Sequence, residues 1–397
     1  MLRSRGSGLG GVRSALCVLT VIKLLLSLPP AQACPPGFFR PPPTLREEVA
    51  ALDVVVFCRL LADPPRGGTG KSTFEVTEVL KGNDMLPERL IGRKSPPRFM
   101  ADIRTRDAGS EFLVFGRHDA KEKSIAWGSA RPVNDREIAY TRCVSSFTEA
   151  MTGLERLKLL LPFVGASDDL IGADIVRELN GIQYADLRQV RGELSAAKLR
   201  DWITDPTTTP GLLRHYFAML SLCGTSDDLP LVKEIMEKRT VRHSEYYHVA
   251  MACYLTLGGE EALTTLEELY FKPRREHPWI VQDLYAVAYA LSFVSRETQA
   301  LPRERIVAGF RSLLERRQVA DLAMRELATL EDWDCTPRLL EMFRDADKNK
   351  TPWIKISVVN FLRASTRADA ASKLAVLREV DPEAVASAER NYPQAKR

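Results

Sequence analysis

The sequence lacks the short motifs that mark common catalytic and metal sites. It has no GxSxG nucleophile elbow, no HExxH zinc helix, and no CxxC pair or other zinc-like spacing among its cysteines. Two of its five histidines, His243 and His248, are five residues apart, so a helix would turn them to different faces. The other three, His118, His215 and His277, have no partners at metal-ligand spacing. We therefore expect no enzymatic activity, no cofactor and no bound metal.

The chain also lacks an excess of charge of either sign. Its formal charge of +4 at pH 7 comes from Arg3, Arg5, Arg13 and Lys23, because residues 1–33 hold no acidic residue. The remaining chain carries equal numbers of basic and acidic side chains. Electrostatic binding of nucleic acid depends on surplus lysine and arginine that displace counterions, so we expect no nucleic-acid partner. With 45% hydrophobic and 27% charged residues, the 397-residue chain has the composition of a folded protein of two or three domains.

No apolar run in the sequence has the length of a membrane span. The run at residues 15–28 is interrupted by Lys23 and is shorter than the roughly 20 residues that a span needs. Two prolines and a small-x-small pattern ending at Ala33 follow it, which is typical of a signal-peptidase site. We predict that residues 1–33 are a signal peptide and that the mature protein is secreted or lies in the periplasm or cell envelope, without a membrane span. A membrane anchor and a lipoprotein modified at Cys34 stay open as alternatives.

If the protein is exported, we expect a disulfide near the amino terminus that signal-peptide cleavage creates. In an oxidising compartment, paired cysteines stabilise small domains. Cys34 paired with Cys143 would tie the terminus to the end of the first domain, and Cys58 is the alternative partner. The other mature cysteines lie in apolar helical surroundings, where buried free thiols are expected: Cys223, Cys253 and Cys335.

The first third of the mature chain has the pattern of a small β domain. Residues 44–47 fit a capping box, which predicts a short helix ending near Ala51. Five short strands favour a closed or nearly closed barrel with few exposed edges. Alternating and compact apolar runs predict these strands at residues 53–61, 73–80, 89–91, 112–115 and 124–127.

Residues 70–73 (GKST) match the end of a phosphate-binding loop, but their surroundings do not. Pro65 occupies the position of the first glycine of that motif. The residues after Ser72 alternate as in a strand, so no helix amino terminus is available to hold phosphate. A hairpin turn is the better interpretation.

Three strand-like segments and one cysteine carry a family resemblance. Cys34 is followed by the short helix and then by LDVVV at 52–56, FEVTEVLKG at 74–82 and EFLVF at 111–115. In combination they resemble the netrin-like domain of tissue inhibitors of metalloproteinases, over about residues 34–147. The resemblance implies an OB-type β-barrel.

The resemblance also implies a function for the predicted amino terminus. In that family the terminal amine and carbonyl of the first cysteine chelate the catalytic zinc of the target protease, and Cys34 matches that position. The sequence departs from the family because Pro36 stands where the second cysteine occurs and Pro35 replaces a small polar residue. A metalloproteinase-inhibitor-like regulator acting through Cys34 is therefore the alternative function.

From about residue 149 the sequence is helical and repetitive. Apolar residues recur three and four positions apart, which indicates helices with one buried face. A period near 35 residues predicts helix pairs that stack into a solenoid with a concave binding surface. Residues 149–393 thus resemble HEAT-like or armadillo-like repeats in architecture. The period appears in leucines near expected helix ends: Leu222, Leu257, Leu291, Leu330 and Leu362.

These observations together predict a mixed two-domain protein, with a small OB-like β-barrel followed by an α-helical repeat solenoid. Such repeats are commonly binding surfaces and rarely catalytic. We expect an exported, non-enzymatic binding or scaffold protein that uses the helical surface to recognise a protein partner. The tryptophans of the helical part are expected to pack between repeats: Trp202, Trp279, Trp333 and Trp353.

Overall fold

The computed structural model describes residues 42–62, 71–86, 98–102, 110–122, 124–165, 169–238, 245–271 and 280–391. After one short helix, the strands precede all the other described helices, so the prediction of a β part followed by an α part is confirmed. The predicted signal peptide, Cys34 and the predicted strand at 89–91 lie outside the described residues. The chain from Leu45 to Arg397 forms one compact unit.

The β part is one antiparallel sheet. Its strands β1–β6 are Val54–Ala62, Lys71–Lys81, Arg98–Asp102, Glu111–Asp119, Ser124–Trp127 and Arg131–Pro132. The strand order is β3-β2-β1-β4-β5, with β6 paired to β4. Because β3 and β5 are opposite edges, the sheet is open, and the predicted closed or nearly closed barrel is wrong for the strands that the structure describes. Residues 71–73 of the GKST segment belong to β2, so the predicted hairpin turn is wrong for them, and Gly70 lies outside the described residues.

The sheet is open because the central strand β1 is apolar on both of its faces, and each face packs in a different core. Val55 and Phe57 pack with Leu113 in the core that the sheet shares with the helices. Val54 and Val56 belong to a second apolar cluster, since alternate residues of a strand point to opposite faces. A small barrel closes around a single interior, whereas this sheet has an apolar core on each face.

The helices begin before the sheet and continue after it to the end of the described chain. The predicted short helix ending near Ala51 is confirmed as α1. In chain order α1–α16 are Leu45–Ala51, Asp135–Ser145, Gly153–Leu160, Asp169–Asn180, Tyr184–Gln189, Ala196–Thr204, Pro210–Cys223, Leu229–Glu237, Tyr247–Leu266, Ile280–Glu297, Arg303–Leu314, Ala320–Thr329, Thr336–Asp345, Trp353–Ala364, Ala370–Val380 and Pro382–Asn391.

Most of the predicted helix ends are confirmed. Helix α9 is interrupted at Gly259, where φ is 56° and ψ is −134°, at the predicted junction. The predicted end at Leu291 is wrong, because α10 continues to Glu297 with no glycine or proline to break it. Three helices end within two residues of the predicted leucines, at Cys223, Thr329 and Ala364.

The helices pack against near neighbours in the chain. Helix α9 contacts α7, α8 and α10, while α12 contacts α11 and α14, and α14 in turn contacts α16. Their buried apolar residues join those on one face of the sheet in a continuous core. None of the helices within the described residues is both long and apolar enough to cross a membrane.

The tryptophans follow the packing prediction in part. Trp202 lies against Tyr216, with ring centroids 5.2 Å apart, and Trp333 is buried. The prediction is wrong for Trp353, which is 47% exposed at the start of α14. Trp279 lies outside the described residues.

Candidate functional site

A groove runs along one face of α10. Residues 281–296 span about 22 Å at the 1.5 Å rise of an α-helix. The opposite face of α10 is buried in the core through Leu284 and Leu291. Because the lining residues recur three, four and seven positions apart, they form one stripe along the helix. The main lining side chains are Val281, Tyr285, Tyr289, Ser292, Phe293 and Arg296.

The aromatic half of the groove is a cavity of about 620 Å³ between the start of α9 and one face of α10. The rings of Tyr285 and Tyr289 stack with centroids 6.2 Å apart, and His248 lies edge-on to Tyr289 at 6.4 Å. Tyr289 is 47% exposed and Val281 is 39% exposed. Large apolar side chains left accessible in a concave surface are typical of recognition sites.

The aromatic half contains one hydroxyl group that has no hydrogen-bond partner among the described residues, that of Ser292. Its side chain lines the cavity, yet the residue is only 4% exposed. Its Oγ has no hydrogen-bond partner within the part of the chain that the structure describes. A buried hydroxyl without a partner is energetically unfavourable, so its position beside a cavity indicates a place for a ligand's polar group.

The polar half of the groove is a second cavity, of about 630 Å³, that shares Arg296 and Glu297 with the aromatic half. The two halves also meet at Phe293 of α10 and Tyr184 of α5, whose rings lie edge-on at 4.8 Å. Three guanidinium groups line this half, those of Arg188, Arg191 and Arg296, whereas Glu297 supplies its one lining carboxylate among the described residues.

The three arginines have different partners. Arg296 forms an ion pair with the buried Glu326. Arg188 donates a hydrogen bond to the backbone carbonyl of Glu297 at 3.3 Å, and its guanidinium lies 5.9 Å from the ring centroid of Tyr184. The guanidinium group of Arg191 forms no hydrogen bond or ion pair with any described residue, and only its backbone carbonyl accepts, from the amide of Leu194 at 3.3 Å. Arg188 and Arg191 therefore carry positive charge that no described carboxylate pairs with directly.

Three of the histidines named from the sequence, His118, His215 and His248, lie within the described residues, where no group of potential metal ligands includes them. His215 of α7 is buried, its Nε2 has no partner among the described residues, and burial with the charge of Arg214 lowers its pKa to about 4. Burial and Arg214 also lower the pKa of His248, which lines the groove. No three potential ligands among the described His, Cys, Asp and Glu residues are grouped to hold a metal. The remaining histidines are His118 in β4, and His243 and His277 outside the described residues.

The cysteines considered for the disulfide are separate thiols where the structure describes them. The Cys58 thiol is buried and donates to the carbonyl of Phe112 at 3.6 Å, and burial raises its pKa. The Cys143 thiol donates to the carbonyl of Leu159 at 3.4 Å, and burial raises its pKa as well. Cys34 lies outside the described residues, so both its disulfide and its inhibitory role stay predictions.

No pattern in the sequence predicted the groove. Its arrangement offers aromatic rings, a free hydroxyl and guanidinium groups, which suit binding. No family model, curated protein or solved structure matches this chain.

Proposed function

We propose that this protein is an exported, non-enzymatic binding protein that recognises a segment of a partner protein in the groove along α10. The observation that carries the proposal is the uncovered stripe on this helix, where Tyr289 is 47% exposed and Val281 is 39% exposed although the opposite face of the helix is buried. Aromatic side chains are enriched at protein interfaces because they bury a large apolar area with little loss of side-chain freedom.

The dimensions of the groove favour an extended peptide segment. A length of about 22 Å accommodates about seven residues in an extended conformation, at roughly 3.3 Å per residue. The unpartnered Ser292 hydroxyl lies among apolar side chains, where it can hydrogen-bond to a backbone group of the segment. Because this bond is made to the backbone, it would form whatever the sequence of the bound segment. The aromatic rings would select segments with large apolar side chains.

The proposal includes a HEAT-like solenoid as the framework of the groove. Contacts between helices two places apart support it, since α7 packs with α9, α10 with α12, α12 with α14 and α14 with α16. Stacked helix pairs bury the face that each pair leaves open and place successive helices side by side. The groove would then be part of the concave recognition surface.

A peptide-display selection tests the proposed function. Peptides of about twelve residues selected on the whole protein are expected to bind the Tyr289→Ala variant at least tenfold more weakly, since a buried aromatic anchor contributes more than 1.4 kcal/mol. Trp353→Ala is the matched control, because Trp353 is equally exposed and lies outside the groove. Selected peptides that bind the Tyr289→Ala variant as tightly as the unmodified protein would overturn the proposal.

A further inference from the structure

We infer that the groove selects an acidic segment that also carries large apolar side chains. Its carboxylates would lie against Arg188 and Arg191 in the polar half, and its apolar side chains would pack on Tyr285 and Tyr289 in the aromatic half. This inference rests on the proposed function, because it uses the same groove and names the chemistry of the segment that fills it.

The polar half of the groove carries positive charge at Arg188 and Arg191. Arg188 and Arg191 are three residues apart, at the end of α5 and in the turn that follows. The described contacts of Arg188 are a backbone carbonyl and an aromatic ring, so its charge is not neutralised by an ion pair. Arg191 has no ion pair with any described residue. A guanidinium group binds a carboxylate through two parallel hydrogen bonds, which makes carboxylates the natural ligands of this pair.

Arg296 and Glu297 set the balance of charge between the two halves. Arg296 is already paired with Glu326, so it adds little net charge. Glu297 is the carboxylate that lines both halves, and it repels an acidic occupant. Removing the charge of Glu297 should therefore strengthen the binding of an acidic segment without changing the binding of a neutral one.

The position of the arginines relative to the rings predicts the spacing between acidic and apolar residues in the segment. Arg188 lies over Tyr184, whose ring contacts Phe293, and Tyr289 lies one turn further along α10. One helical turn is about 5.4 Å, and the contacts of Tyr184 with Arg188 and Phe293 span 5.9 and 4.8 Å, so the carboxylates and the apolar anchor are separated by at most about 16 Å, or about five extended residues. A suitable probe places acidic and apolar residues in adjacent blocks.

Fluorescence anisotropy with four labelled heptapeptides tests this inference. The acidic probe is Glu-Glu-Glu-Gly-Leu-Trp-Leu, and the others replace the three glutamates with glutamine, replace them with lysine, or replace the apolar residues with serine. We expect the acidic probe to bind about tenfold more tightly than the glutamine probe, and the lysine and serine probes to bind more weakly still. The affinity of the acidic probe should fall as salt concentration rises.

Substitutions in the full-length protein test whether the preference for the acidic probe arises in the groove. Replacing both Arg188 and Arg191 with glutamine should reduce binding of the acidic probe about tenfold, to the level of the glutamine probe. Glu297→Gln should strengthen binding of the acidic probe alone. The control variant replaces two exposed arginines outside the groove with glutamine, Arg317 and Arg344, and should leave all affinities unchanged.

The results separate this inference from the function on which it rests. Equal affinities for the acidic and glutamine probes, both weakened by Tyr289→Ala, would overturn the acidic preference and leave the proposed function supported. Probe binding that is unaffected by Tyr289→Ala would overturn both. An acidic preference that persists in the Arg188 and Arg191 double variant would also overturn the inference, because the selecting charge would then lie elsewhere.

Discussion

Tyr140 donates a hydrogen bond from its Oη to Oδ2 of Asp174, over 2.7 Å, inside the protein. Oδ1 of the same carboxylate accepts from the backbone amide of Leu45 at 2.7 Å and from Arg177 at 3.1 Å. Asp174 is 1% exposed, and burial followed by its charge raises the pKa of the Tyr140 phenol. One buried carboxylate thus joins α1 and α2, which flank the sheet in the chain, to α4 of the helical part.

Asp174→Asn is expected to lower the free energy of unfolding by about 2 to 3 kcal/mol, because a buried charge-assisted hydrogen bond is lost and donors are left poorly paired. Tyr140→Phe should lower it by about 1 to 2 kcal/mol. Urea unfolding of both single variants and of the double variant measures the coupling between the two residues. Asp201→Asn, at an exposed position on α6, is the control. If Asp174→Asn lowers the free energy of unfolding by less than about 0.5 kcal/mol, which is the usual range for surface substitutions, then the Asp174 carboxylate does not stabilise the packing of these helices.

His215 is expected to make the protein less stable as pH falls. Burial, with a smaller effect of Arg214, lowers its folded-state pKa from 6.5 to about 4. Between these two values the unfolded chain binds a proton that the folded chain does not, so the free energy of unfolding decreases as pH drops from about 6.5 to 4. The full effect is about 3 kcal/mol, from roughly 1.4 kcal/mol per pKa unit.

Urea unfolding at several pH values between 4 and 7 measures this effect, with His215→Leu as the comparison. The leucine variant cannot take up a proton, so its stability should fall less steeply over the same range, whatever its stability at pH 7. Parallel stability curves for the two proteins would show that His215 is not responsible. Carboxylates that titrate in this range affect both proteins alike and cancel in the difference.

Glu331 and Lys350 adopt left-handed backbone conformations, with φ of 53° and 56°. Each follows a helical turn that is closed by a hydrogen bond from the next amide, Asp332 to the carbonyl of Leu327 at 2.9 Å and Thr351 to that of Ala346 at 2.8 Å. This is the geometry of a Schellman cap, in which glycine is preferred. A side chain at such a position costs roughly 1 kcal/mol in the folded state.

Glu331→Gly and Lys350→Gly are each expected to raise the free energy of unfolding by about 0.5 kcal/mol, since relief of the left-handed strain is partly offset by the greater entropy of glycine in the unfolded chain. The two gains should add, because the sites are separate. Thermal unfolding provides the measurement. Glu331→Ala is the control and should bring no gain, because alanine keeps the Cβ atom. Destabilisation by both glycine substitutions would refute the prediction.

Local patterns predicted the elements whose ends are marked by specific residues. The strand at 124–127 is confirmed in full, and the paired glycines before Glu260 mark the break in α9. Sheet closure was not predictable in this way, because β1 is apolar on both faces and a short apolar run does not show whether one or two cores will cover it. Strand β3, Arg98–Asp102, was missed because its residues lie within a charged stretch.

The groove could not be predicted for a related physical reason. Leu284 and Leu291 on one side of α10 and Tyr285 and Tyr289 on the other make the helix apolar nearly all round. Such a pattern indicates a fully buried helix. Which face remains uncovered depends on where α5, α7 and α9 end, and that is decided by packing between distant residues.

Ser292→Ala is expected to separate binding from folding. Because the Ser292 hydroxyl is buried without a partner, its removal should leave the free energy of unfolding unchanged or raise it by up to about 1 kcal/mol. The same substitution should lower the affinity for the acidic heptapeptide about fivefold, because one hydrogen bond of roughly 1 kcal/mol is lost. Thr336→Val is the control, because this buried hydroxyl lies outside the groove and donates to the carbonyl of Trp333 at 2.6 Å, so its loss should lower stability and leave the peptide affinity unchanged. Unchanged peptide affinity in the Ser292→Ala variant would mean that the groove holds its ligand without this hydroxyl.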